Sequence, residues 1–110
     1  MTPATAALFD ALGDPTRRAM VALIANGPAT VSSLSAPLGI SVTAVGQHLR
    51  VLEHAGLADS EKRGRTRYCR LRPDGLRELE RWARECRAEW EARFERLGAL
   101  LDDLGNEAGA

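Results

Sequence analysis

The sequence is poor in the residue types that staple, ligate or catalyse. Its 110 residues include only two cysteines, Cys69 and Cys86, and only two histidines, His48 and His54. Two thiols do not make a disulfide framework, and the chain is expected to be cytoplasmic. There is no apolar run long enough to cross a bilayer and no basic-then-apolar leader. A glycine-rich phosphate loop, a carboxylate pair set beside a nucleophile, and a local Ser/His/Asp arrangement are all missing, so catalysis fits poorly. Internal repeats and low-complexity tracts are missing too.

Net charge is also lacking, with fifteen basic and fifteen acidic side chains. Their distribution is uneven, and that asymmetry is the informative quantity. Between Ser41 and Arg72 there are seven basic residues (Arg50, Lys62, Arg63, Arg65, Arg67, Arg70, Arg72) against three acidic ones (Glu53, Asp59, Glu61). From Pro73 to Ala110 six basic residues face ten acidic ones. A basic middle is thus cancelled by an acidic tail. The apolar share of 45% suits a folded chain, and 110 residues suit one domain.

The periodicity predicts a mainly α fold of five helices with one small β-hairpin. The first helix, Ala4 to Leu12, carries Leu8, Phe9 and Leu12 on one face. Asp14 caps the second, with Pro15 at the first helical position, where its missing N–H costs nothing. That helix turns Met20, Leu23 and Ile24 inward and stops at Asn26-Gly27-Pro28. Thr30 caps a short third helix that halts near Pro37 to Gly39. Ser41 caps the fourth, which runs to Ala55 before the stop at Gly56. From Leu57 the period changes to that of strands: Leu57 to Ser60 is one, Lys62 to Arg65 a turn, and Thr66 to Leu71 the other, alternating Arg67/Cys69/Leu71 against Thr66/Tyr68/Arg70. A last helix runs from Pro73 or Asp74 to about Leu104.

A short helix, a turn containing Gly39 and a longer helix, over residues 31–55, have the layout of a helix-turn-helix, whose second helix enters the major groove of DNA. Val45, Leu49 and Leu52 must face the core. Val42, Thr43, Gly46, Gln47 and Arg50 then point away. Gln47 can pair with adenine, Thr43 can touch a thymine methyl, and Arg50 can reach guanine or a phosphate. Gly46 costs about 1 kcal/mol in a helix interior relative to alanine, and close backbone approach to DNA accounts for it. Lys62, Arg63, Arg65 and Arg67 cluster around Gly64 on the hairpin over residues 57–71, a wing able to contact phosphates or the minor groove. The bland reading of the helix is a solvated polar face, and alone the wing would read equally well as a solvated charged loop; in succession they point to double-stranded DNA.

On the last helix Leu76, Leu79, Ala83, Cys86, Trp90, Arg93, Leu97, Leu100 and Leu104 follow a 3–4 spacing, widened by Trp82 and Phe94. A helix of about thirty residues is roughly 45 Å long, more than the remainder of the chain can cover. Part of its stripe is therefore expected to meet another surface.

These motifs carry a resemblance. The stretch from Leu8 to Arg18 (LFDALGDPTRR) is similar to the opening signature of the ArsR (arsenical-resistance repressor) family of winged helix-turn-helix regulators. Ile40-Ser41, Ala44-Val45, His48-Leu49, Val51-Leu52-Glu53 and Ala55-Gly56-Leu57 resemble its recognition-helix motif, and Gly64-Arg65 with Tyr68 to Leu71 and Pro73 its wing. The resemblance implies a homodimeric regulator, usually a repressor, on a palindromic operator. It places Ser41, Thr43, Gly46, Gln47 and Arg50 at or beside DNA-facing positions and makes His48 a phosphate contact. Gly46 departs from the serine common there. Arg17 is expected to pair within the domain first and to contact DNA second. The dimer surface implied is the stretch 1–13, with Leu8 and Phe9, and the helix 73–104, with Leu79, Ala83, Cys86, Trp90, Leu97 and Leu100.

Many members of that family release DNA when a metal binds. One of their sites uses closely spaced cysteines on the third helix, which here reads Val31-Ser32-Ser33-Leu34-Ser35-Ala36. Another uses histidine on the last helix, which here has none. The expectation is no metal and no cofactor. Alternatives are a thiol switch at Cys69 or Cys86, a small-molecule effector of unknown chemistry near Trp82 and Trp90, and a winged helix used to dock proteins.

Overall fold

A computed structural model of the chain describes residues 1–109. Helix α1 (Pro3–Leu12) is capped by Thr2, whose hydroxyl accepts from the Thr5 amide. Helix α2 (Pro15–Ile24) starts on the Asp14 carboxylate, which accepts from the Arg17 amide at 2.9 Å. Helix α3 (Val31–Leu38) is capped by Thr30 and ends at Gly39 in the left-handed region, φ 66°. Helix α4 (Val42–His54) is capped by Ser41, and Gly56 at φ 81° turns the chain out of it. Each of these four caps satisfies an amide that the first helical turn leaves without a partner.

The sheet has three strands rather than the expected two. Strand β1 (Ala29–Thr30) lies outside β3 (Thr66–Leu71), which pairs on its other side with β2 (Ala58–Arg63), all antiparallel. Two residues are too few to show a period, so β1 is set by its partners: Ala29 lies opposite Cys69, and Thr30 opposite Tyr68. Strand β2 also runs to Arg63, past the expected end at Ser60, because the ladder continues through charged residues exposed to solvent. The loop shrinks to Gly64 and Arg65, with Gly64 at φ 62° in the first loop position, where a type II′ hairpin turn places glycine.

The described residues fall into two compact units, Met1–Leu79 and Glu80 onward. In the first unit Met20, Ile24, Leu34, Val45, Leu49, Leu52, Leu57, Ala58 and Cys69 form the core together with Leu8 and Ala11. Burying a side chain of the size of Leu49 or Leu52 stabilises by about 1.5–3 kcal/mol. The expected inward stripe of α4, Val45, Leu49 and Leu52, is 0%, 2% and 0% exposed. Gly75 is required for packing: a Cβ there would lie 2.6 Å from the Gly56 carbonyl oxygen.

Leu8 needs a correction. Expected at a dimer surface, it is buried in the chain's own core, leaving Phe9 as the more exposed of the pair. Leu79 likewise packs partly against that core. The last helix, α5 (Pro73–Gly109), extends beyond the expected Leu104. In the second unit it is braced by i,i+4 ion pairs: Arg84–Glu80, Arg81–Glu85, Arg87–Glu91 and Arg93–Glu89. Trp90, Phe94, Leu97, Leu100, Leu101 and Leu104 are exposed there. No helix among the described residues is long and apolar enough to cross a membrane.

Candidate nucleic-acid interface

Helix α4 buries one side and leaves Ser41, Thr43, Gln47 and Arg50 exposed on the other, with Gly46 and His48 half-buried. Beside it the hairpin forms the second wall of an open groove of about 480 Å³. Val31 and Ser32 from α3, Val42, Gly46, Leu49, Arg50 and Glu53 from α4, and Arg65 and Arg67 from the hairpin line this groove. Cations from two elements far apart in sequence thus meet at one concave surface. A Cβ at Gly46 would find no atom within 4 Å. Nothing inside the chain therefore demands glycine at a position where alanine favours the helix.

The register divides the four wing cations. Residues directly opposite each other in an antiparallel pair share a face. Ala58 and Leu71, Ser60 and Cys69, and Lys62 and Arg67 form one face, which includes the buried Ala58 and Cys69. Asp59 and Arg70, Glu61 and Tyr68, and Arg63 and Thr66 form the other. Arg63 therefore does not join Arg65 and Arg67 in the groove. It pairs with Glu61 at 3.2 Å and lies over the Tyr68 ring, 5.4 Å from its centroid. Arg70 pairs with Asp59 at 2.7 Å on that same outer face, which holds its guanidinium charged.

Three polar side chains join the hairpin to α4, and sequence reading did not find this set. The Arg67 Nη1 donates to Ser60 Oγ at 2.9 Å, and Ser60 Oγ donates to Glu53 Oε1 at 3.0 Å. Ser60 lies seven positions after Glu53 and Arg67 seven after Ser60, with a turn inside each interval. No helical or strand period signals such a set.

Arg17 has the internal role expected of it. Its Nε donates to the Ala11 carbonyl at 2.6 Å and its Nη2 to the Asp10 carbonyl at 3.2 Å, and Arg18 donates to Leu12 at 2.8 Å. The Ala11 and Leu12 carbonyls are ones that the end of α1 leaves without helical partners, while the Asp10 carbonyl also accepts from the Gly13 amide at 3.2 Å. The Asp14 carboxyl is held below its usual range, chiefly by the Arg17 amide and then by the charges of Arg17 and His48.

Comparison with known proteins places this geometry. A family model described as bacterial regulatory protein, arsR family, matches residues 14–60. The HTH-type transcriptional regulator Rv2034 of Mycobacterium tuberculosis is 44% identical over 71 residues, 64% of this chain. That match spans 66% of the regulator, just under two thirds of its length. A crystal structure of an ArsR family transcriptional regulator, RHA00566, superposes with a TM-score of 0.76 at 35% identity, covering 83% of this chain and 95% of that one. The chain belongs to the ArsR family. The transcriptional repressor SdpR of Bacillus subtilis is a more distant relative, 28% identical over 68% of this chain and 83% of its own length. The chain is thus a transcription regulator with a winged helix-turn-helix, in which α3 and α4 are the two helices and β2–β3 the wing.

Among the described residues no three His, Cys, Asp or Glu side chains converge as metal ligands do, and α3 offers serine where thiol ligands would stand. Cys69 is fully buried and its Sγ donates to the Ala29 carbonyl at 3.2 Å. Burial pushes its thiol up in pKa and so away from the reactive thiolate. Cys86, in the second unit, is half-buried and free.

Proposed function

We propose that this regulator is a cytoplasmic, non-catalytic repressor that binds a palindromic operator as a homodimer. The observation that carries the DNA reading is the single groove in which Arg50 of α4 meets Arg65 and Arg67 of the wing beside Gly46. Thr43, Gln47 and Arg50 contact base edges, with Ser41, Gly46 and His48 at or near the backbone. Lys62, Arg65 and Arg67 engage phosphates or the adjacent minor groove, and Arg63 contributes from the outer face of the wing. The dimer contacts come from the exposed stripe of Trp90, Leu97 and Leu100 with Ala83 and Cys86 in the second unit, and separately from Phe9 in the first. Two reading helices related by a two-fold axis fit half-sites about 34 Å apart.

The test is selection of duplexes from a random pool, followed by titration across a range of salt concentrations. The expected result is a two-fold symmetric site. Replacing Arg65 and Arg67 together by alanine removes two phosphate contacts from each protomer of the dimer, and should weaken it at least tenfold and flatten the slope of log K against log salt by about four. Arg63→Ala, on the outer face, should lose much less. An unchanged affinity and slope in the double variant would overturn the reading and favour a protein-docking winged helix.

A further inference from the structure

The tie between wing and reading helix has a chemistry of its own. Glu53 is a carboxylate lining a groove otherwise furnished with Arg50, Arg65 and Arg67. At a surface meant for phosphates a negative charge is unfavourable, and nothing in the α4 core requires it, since Glu53 is half-buried and points its Oε1 at Ser60. Ser60 is the centre of the set: its hydroxyl gives its single proton to Glu53 and accepts the Arg67 N–H with a lone pair. Both partners are ionised, so these are charge-assisted hydrogen bonds, stronger and more directional than neutral ones. Strand β2 holds the hydroxyl in place, because Ser60 is opposite the buried Cys69 in the ladder. Arg67 is thereby fixed by one N–H while its remaining donors stay available for DNA.

We propose that Glu53 and Ser60 are positioning residues that set specificity, resting on the DNA reading above. Through Ser60, the Glu53 carboxylate clamps the Arg67 guanidinium at one spacing from α4. The protein then favours duplexes that present a phosphate to Arg67 and base edges to α4 at the same time. Glu53 also repels any phosphate that enters the groove out of that register, which penalises non-specific duplex more than the operator.

The experiment measures affinity for the selected operator and for a scrambled duplex of equal length, using Ser60→Ala, Ser60→Thr and Glu53→Gln in the full chain. Ser60→Ala should cut the operator-to-scrambled affinity ratio about tenfold, the scale of a lost hydrogen bond to a charged group. Ser60→Thr keeps the hydroxyl and should retain the ratio within about twofold. Glu53→Gln keeps an acceptor for Ser60 but removes the charge, so it should tighten scrambled DNA several-fold and the operator less. A purely structural role would lower the melting temperature and leave the ratio unmoved. An unchanged ratio in Ser60→Ala overturns the proposal. If that variant does not fold, Glu53→Gln decides: unchanged scrambled-DNA affinity is then the overturning result. A wild-type protein that selects no duplex defeats the DNA reading itself, whereas a selective wild type with indifferent variants defeats only this inference.

Discussion

The residues up to Leu79 and those from Glu80 onward solve the problem of stability in opposite ways. The first unit hides its large aliphatic side chains, with Met20, Leu49, Leu52 and Leu57 all but inaccessible. The second is one stretch of helix that braces itself with i,i+4 ion pairs, each worth only about 0.2–0.5 kcal/mol, while Leu97 and Leu100 are at least half exposed. Trp90 and Phe94 stack their rings 6.0 Å apart there, with Arg93 over Trp90, yet both rings stay mostly in solvent. The contrast teaches that apolar periodicity alone does not say where a side chain goes. In α4 the period marks a core; in α5 beyond Glu80 it marks an exposed stripe, the one assigned above to the proposed dimer.

The sharpest way to break that comparison is to charge the second region. Leu97→Glu with Leu100→Glu should turn the proposed dimer into a folded monomer, read by analytical ultracentrifugation, and cost about a hundredfold in operator affinity through lost bivalency. A variant that stays dimeric would place the interface elsewhere. Next in size is a matched pair of truncations. Leu52→Ala should remove about 2–5 kcal/mol of stability at any protein concentration. Leu97→Ala should lower the melting temperature by an amount that depends on concentration, because it acts through association. Gly46→Ala is smaller and has two signs. The free protein should gain up to about 1 kcal/mol in denaturant titrations, since a Cβ meets nothing there, while operator affinity falls if the DNA backbone approaches that point. A variant gaining in both would remove the close-approach explanation.

The smallest effect concerns pH. The Asp14 carboxyl titrates below its ordinary 3.8 in the folded chain, so its stabilisation is present above that value and fades as pH falls through the lower folded one. Asp14→Asn keeps an acceptor for the Arg17 amide without titrating. Its melting temperature should therefore drop less steeply than the wild type's between pH 5 and about pH 2. Parallel slopes would show that the cap carries no pH dependence.

Much of the fold was legible because its signals are local. Asp14-Pro15 and Ser41 announce helix starts by side-chain chemistry, and Val45, Leu49 and Leu52 announce a buried face by spacing. What was not legible depends on pairing between distant segments. Strand β1 exists only because Ala29 and Thr30 find β3. Leu8 and Phe9 are equally apolar neighbours, and only the packed helices decide that Leu8 goes inside. Within the site, the basic cluster was visible but its division was not: Arg63 and Arg67 differ by face, and the face is fixed by hairpin register rather than composition. The Glu53–Ser60–Arg67 set follows from that same register.

The order of the sheet has a consequence for solubility. With β3 in the middle, β2 is a six-residue strand at the margin. Its outward row of unpaired amides and carbonyls is an invitation to cross-molecule strand pairing. Asp59, Glu61, Lys62 and Arg63 lie along that strand, and charged side chains on an edge are how sheet proteins discourage such pairing. Stripping β2 of these charges is therefore expected to promote aggregation, whatever it does to DNA binding.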